Sequence, residues 1–86
     1  MGTRLFVDGI PSFFTAQQLK ELFIPYGTGL SAEVTKDQQG RSLRFGYVEM
    51  AAPHEAKRAI LGLHRSNLYG RPLLVMVEQK NTSGSQ

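Results

Sequence analysis

Four runs of alternating side chains, interrupted by only two stretches of helical spacing, leave few architectures open to this 86-residue chain. Successive side chains of a strand point to opposite faces, whereas a helix stacks every third and fourth residue on one face. "RLFVDGI" (4–10) alternates around Leu5 and Val7, with Phe6 opposite them, and ends at Gly9 before Pro11. "FTAQQLKELFIPYG" (14–27) switches to helical spacing through Ala16, Leu19, Leu22, Phe23 and Tyr26. Thr15 predicts the N-cap, Gln18 a capping box, Phe14 with Leu19 a hydrophobic staple, and Pro25 with Gly27 the end. "LSAEVTK" (30–36) sets Leu30, Ala32 and Val34 against Ser31, Glu33 and Thr35, and "DQQGR" (37–41) reads as a hairpin loop. "LRFGYVEM" (43–50) is the next strand, and "AAPHEAKRAILGLH" (51–64) a second helix with Pro53 at its first position and Ala56, Ala59, Ile60 and Leu63 inward. "RSNLYGRP" (65–72) reads as a turn-rich connection, "LLVMVEQ" (73–79) as a last strand, and 81–86 as a disordered polar tail after a single domain over 1–80.

The order β-α-β-β-α-β is that of the ferredoxin-like split βαβ motif. The fold expected is therefore α+β: a four-stranded antiparallel sheet with two helices on one face. Leu5, Val7, Val34, Val48, Met50, Leu73, Val75 and Val77 turn toward those helices. No element remains to cover the other face. By strand parity that face receives Arg4, Phe6 and Asp8; Leu43, Phe45, Tyr47 and Glu49; Leu74, Met76 and Glu78; and Ser31, Glu33 and Thr35. With the first and third strands as central neighbours, Phe6, Phe45 and Tyr47 cluster. Reversing the parity would bury these rings only by placing Leu5, Val7, Val34, Val48, Val75 and Val77 in water. Rings on an uncovered sheet carry a hydration cost that a frequent partner relieves. Flat rings beside hydrogen-bonding groups suit unstacked nucleobases, each contact contributing roughly 1–3 kcal/mol. The rings could also pack on one another or under the tail.

Composition removes other classes. The chain has no cysteine, which excludes disulfides and thiolate-held metals, and His54 and His64 stand ten residues apart and read as surface side chains. No apolar run reaches a membrane span. A net charge of +3 permits a polyanionic partner without requiring one. The loop "DGIPSFF" (8–14) lacks the basic residue and backbone cradle of a phosphate-binding enzyme, and no nucleophile–base pair or nucleotide-binding glycine loop is visible. No catalysis, cofactor or small-molecule substrate is expected. The compartment expected is cytoplasmic, or nuclear if the chain is part of a longer eukaryotic protein; its Met1 start and short tail read as a stand-alone protein.

"LFVDGI" and "LRFGYVEM", correctly spaced and on the correct elements, resemble the shorter and longer motifs of the RNA recognition motif family, the latter patterned K/R-G-F/Y-G/A-F-V-x-F/Y. "LKELFIPYG" and "GRPLLVMV" are similar to its first helix and last strand, so the resemblance spans about residues 4–79. It implies that Phe6 stacks one base, and that Phe45 and Tyr47 stack another and touch a sugar or further base. The chain departs from the pattern at Leu43, where a cation is usual; at Arg44, where glycine is usual; at Gly9, where asparagine is usual; and at Met50, in place of an aromatic. Arg44 starts on the helix side by parity and needs to swing into solvent to reach RNA. Cationic help is expected from Arg4, Lys36, Arg41, Arg71 and Lys80 on the rim, and apolar contact from Leu43 and Met76. Phe13 either packs locally or extends the platform. The reading is a monomeric module for single-stranded RNA, with single-stranded DNA open as well. A protein-interaction or self-association module on the same apolar face is the alternative.

Overall fold

The computed structural model describes residues 2–27 and 29–78; Lys80, the tail and the side chain of Leu30 fall outside the described residues. The strands are β1 (Thr3–Asp8), β2 (Gly29–Lys36), β3 (Ser42–Met50), β4 (Asn67–Leu68), β5 (Arg71–Pro72) and β6 (Leu74–Val77). The helices are α1 (Ala16–Phe23), extended by a 3-10 turn over Ile24–Tyr26, and α2 (Pro53–Leu63). Four strands form an antiparallel sheet in the order β2-β3-β1-β6, the expected ferredoxin-like α+β arrangement.

Local chemistry sets the helix boundaries. The Thr15 side chain accepts from the Gln18 N–H at 3.1 Å while the Gln18 side chain accepts from the Thr15 N–H at 2.8 Å, closing the capping box. Phe14 and Leu19, the two ends of the expected staple, are both buried in the core. Pro53 opens α2, where its missing N–H is no loss.

The core lies between the helices and one sheet face. Leu5, Val7, Val48, Met50, Leu73 and Val75 from the sheet side meet Leu19, Phe23, Ala56 and Ala59 from the helices, with Ile10 and Phe14 closing one end. Gly46 explains its place between two rings. A Cβ there would collide with the Glu33 carbonyl oxygen and crowd Leu19 Cδ2 at 3.2 Å, so only glycine lets the β2 backbone approach this closely. Val77 departs from the expected inward set: at the end of β6, an edge strand of the sheet, it is 41% exposed.

Two further departures concern the segment after α2. The turn-rich connection folds into a small hairpin, β4–β5, joined by a Tyr69–Gly70 turn with φ of 54° and 87°. His64 is half-buried rather than a free surface residue, and its Nδ1 accepts the Val75 N–H at 3.0 Å, tying the end of α2 to β6.

Candidate nucleic-acid interface

Pairing places the expected rings together. β1 and β3 are central neighbours, with Phe6 opposite Tyr47 and Asp8 opposite Phe45. Phe6 lies 5.5 Å from Phe45 and 5.7 Å from Tyr47, centroid to centroid, and Phe45 lies 6.3 Å from Tyr47. Their interplanar angles of 44°, 58° and 87° are tilted and edge-on rather than stacked, the arrangement aromatic quadrupoles favour. Each ring is half-buried by its neighbours, and no described helix or strand lies over this face. Met76 on β6 and Leu43 on β3 add exposed apolar surface at 45% and 47%.

Arg4 is drawn into the cluster in a way that parity does not reveal. Its guanidinium carbon stands 4.4 Å from the Tyr47 centroid, over the ring face. Two carboxylates hold it there: Glu78 at 3.0 Å and Glu33 at 3.7 Å. Arg4 is therefore a flat, oriented donor whose charge is largely offset, not a free phosphate anchor. It covers part of one Tyr47 face and can meet a base in place of it, since guanidinium groups stack with bases much as rings do. The acids foreseen on this face have a structural task here: Glu33 and Glu78 fix Arg4, while Asp8 accepts the Gly9 N–H at 2.9 Å.

The remaining cations sit around the rim. Lys36 is exposed at the end of β2. Arg41 is spent within its own hairpin. It donates to Asp37 at 3.2 Å and to Gln39 at 2.8 Å, while Asp37 Oδ1 accepts from the Arg41 and Gln39 N–H groups. The Arg41 backbone N–H foremost, aided by the Gln39 and Gly40 N–H groups and the Arg41 side chain and only partly opposed by desolvation, lowers the Asp37 pKa below its ordinary range.

Arg44 breaks the alternation. Between the pairs Val34–Gly46 and Lys36–Ser42, β3 runs two residues longer than β2. Within that bulge Arg44 has φ of 68° and an exposed side chain, its N–H donates to Ser42 Oγ, and its carbonyl accepts from both Gly9 and Ile10. It is thus in solvent, not on the helix side where simple parity puts it. The glycine usual at this place in the longer motif now has its reason, since that residue visits positive φ freely.

Comparison with known proteins follows the same lines. The family model described as "RNA recognition motif" matches residues 5–74. Polyadenylate-binding protein, cytoplasmic and nuclear, of Eremothecium gossypii is 38% identical over 79 residues, covering 92% of this chain and 14% of that protein. The chain thus spans about a seventh of that relative's length. The crystal structure of RNA binding protein PG1 superposes with a TM-score of 0.86 at 32% identity, over 92% of this chain and 96% of that one. A Sex-lethal protein/RNA complex superposes with a TM-score of 0.82 at 29% identity, over 88% and 47% of the respective chains.

Proposed function

The chain belongs to the RNA recognition motif family, and from that membership we propose that it binds single-stranded RNA by stacking bases on Phe6, Phe45 and Tyr47. One observation carries the reading: three rings within 6.3 Å of one another on a sheet face that no described element covers. The relatives named for polyadenylate binding and for an RNA complex support the choice of ligand. In this reading Phe6 and Phe45 each present a ring to a base, and Arg4 with Tyr47 forms a composite stacking surface. Met76 and Leu43 exclude water at its borders. Lys36 and Arg44 supply the phosphate attraction that the neutralised Arg4 and Arg41 do not. The molecule acts as a monomeric binding module in the cytoplasm or nucleus, without catalysis, and accepts single-stranded DNA to the extent that stacking rather than the 2′-hydroxyl dominates.

Fluorescence anisotropy with labelled single-stranded RNA tests this. The double change Phe45→Ala and Tyr47→Ala removes two rings that lie outside the core, so the fold persists. At roughly 1–3 kcal/mol per stacked base, affinity falls about thirtyfold or more. Raising the salt concentration weakens binding, because each phosphate contact releases counterions. Apolar association on the same face would hold or strengthen with salt. That outcome, or undiminished RNA binding by the double variant, overturns the proposal.

A further inference from the structure

Two of the three non-glycine residues with positive φ among the described residues, Arg44 at 68° and Tyr69 at 54°, line the same cleft beyond the end of the ring cluster. The cleft holds about 120 Å³ and lies between the loop after β1 and the β4–β5 hairpin, with Gly9, Pro11, Phe13 and Arg71 among its walls. Residues bearing a Cβ enter positive φ only at a cost, and coincidence of two at one place marks a local demand on side-chain placement. The Tyr69–Gly70 turn is of the type that asparagine or aspartate opens most comfortably. Tyrosine stands there instead. Its ring meets Phe13 edge-on at 5.2 Å and Phe14 at 6.0 Å. Phe14 is buried, but Phe13 and Tyr69 remain 58% and 70% exposed, so the pair stands in water as a second aromatic surface.

Charge accompanies these rings. Arg44 and Arg71 both line the cleft and are exposed, and neither forms an ion pair among the described residues. Asp8 lines the adjoining depression with them and accepts the Gly9 N–H. That depression shares Gly9, Arg44 and Arg71 with the cleft and is walled also by Leu43 and Leu74, whose strands β3 and β6 carry Phe45, Tyr47 and Met76 of the platform. Two guanidinium groups beside an exposed ring pair match a nucleotide: planar forks for the phosphate and π faces for the base.

We propose that this cleft takes a further nucleotide of the RNA strand lying on the sheet, its base against Phe13 and Tyr69 and its phosphate on Arg44 and Arg71. The inference rests on the reading that the sheet face binds RNA. It lengthens the site past the three rings and makes affinity depend on oligonucleotide length.

The test uses labelled oligoadenylate and oligouridylate, each as a tetranucleotide and an octanucleotide, in anisotropy titrations at one fixed salt concentration. The cleft variant combines Phe13→Ser with Tyr69→Asn. Asparagine suits the turn, so circular dichroism and the melting temperature report an intact fold. The cleft variant loses at least about fivefold in octanucleotide affinity, the low end of one lost stacking contact, and retains tetranucleotide affinity. Changing Arg44→Gln with Arg71→Gln flattens the salt dependence of octanucleotide binding. The sheet variant Phe45→Ala/Tyr47→Ala loses both lengths. If the cleft variant binds the octanucleotide as the parent does while the sheet variant does not, the cleft proposal fails and the sheet reading stands; a cleft that holds a protein segment instead gives this result. An equal loss at both lengths in the cleft variant also overturns the cleft proposal. A parent protein that binds neither length overturns both.

Discussion

Replacing Arg44 with glycine is expected to make the protein more stable and a poorer ligand for long RNA at once. Arg44 sits at φ of 68° in the bulge of β3, and a Cβ there costs about 1–2 kcal/mol. Glycine escapes that cost but loses roughly 0.5–1 kcal/mol more in chain entropy on folding. The local contacts do not depend on the side chain: the Arg44 N–H donates to Ser42 Oγ at 2.9 Å, and its carbonyl accepts from Gly9 and Ile10 at 3.1 Å each. The exposed guanidinium has no ion-pair partner among the described residues to forfeit. At the middle of the two ranges the balance is a gain of about 0.75 kcal/mol, which in a domain of this size raises the melting temperature by roughly 3–6 °C. Thermal melts followed by circular dichroism measure it, with Arg44→Ala as the control. Alanine removes the guanidinium and keeps the Cβ, so it melts with the parent protein. A glycine variant that melts at or below the alanine variant would refute the reasoning, because it would mean that the bulge places no steric demand on the side chain.

Three other perturbations probe separate parts of the structure. Gly46→Ala drives a Cβ into the Glu33 carbonyl oxygen and against Leu19, so the unfolding free energy from urea titration should fall by the upper end of the overpacking range, about 3 kcal/mol; an unchanged value contradicts the close approach of the β2 backbone. His64→Ala strips the half-buried Val75 N–H of its acceptor, for a loss of about 1 kcal/mol, whereas His64→Asn offers an oxygen near the same place and recovers most of it; equal losses in both variants refute the role of the hydrogen bond. Asp37 has its pKa lowered on folding, so its ionised form stabilises the hairpin above the ordinary aspartate range, and that contribution is lost as pH falls through the lowered value. The melting temperatures of the parent and of Asp37→Asn should differ at neutral pH and converge in acid; a gap that is constant with pH excludes the carboxylate as its source.

Much of this was legible because core and site obey simple periodicities. The capping box at Thr15 and Gln18 is fixed by four consecutive residues, and the alternation of Phe45, Tyr47 and Glu49 against Gly46, Val48 and Met50 needs no tertiary information. What the sequence concealed depends on distant partners or on broken alternation. The bulge that turns Arg44 outward arises from unequal lengths of β2 and β3, which no period-two rule detects. Arg4 leaves the phosphate rim because Glu33 on β2 and Glu78 just past β6 both pair with it. The β4–β5 hairpin has only two residues per strand, below the length at which alternation carries a signal, although "NLYGRP" holds a Tyr-Gly turn pair that points to it. Val77 satisfies the pattern of an inward residue, yet at the end of an edge strand it stays exposed, and alternation does not reveal which strand lies at the edge.

The two faces of β3 tie stability to recognition more closely than a list of site residues suggests. Phe45 and Tyr47 belong to the platform; Gly46, Val48 and Met50, interleaved with them, belong to the core. A slip of one residue would exchange the two sets, putting rings under α1 and aliphatic side chains in water. Gly46 opposes that slip, because the Glu33 backbone and Leu19 admit no side chain at its place. At the N-terminal edge of the platform, the bulge at Arg44 interrupts the regular alternation before it begins at Phe45. Regular pairing therefore holds the rings in fixed register, and irregular pairing turns a cation outward at their edge. Stacking is governed by the part of β3 that cannot shift without unfolding the core. Charge is presented by a part whose strain leaves the core untouched, so substitutions at Arg44 can alter RNA affinity and its salt dependence without moving Phe6, Phe45 or Tyr47.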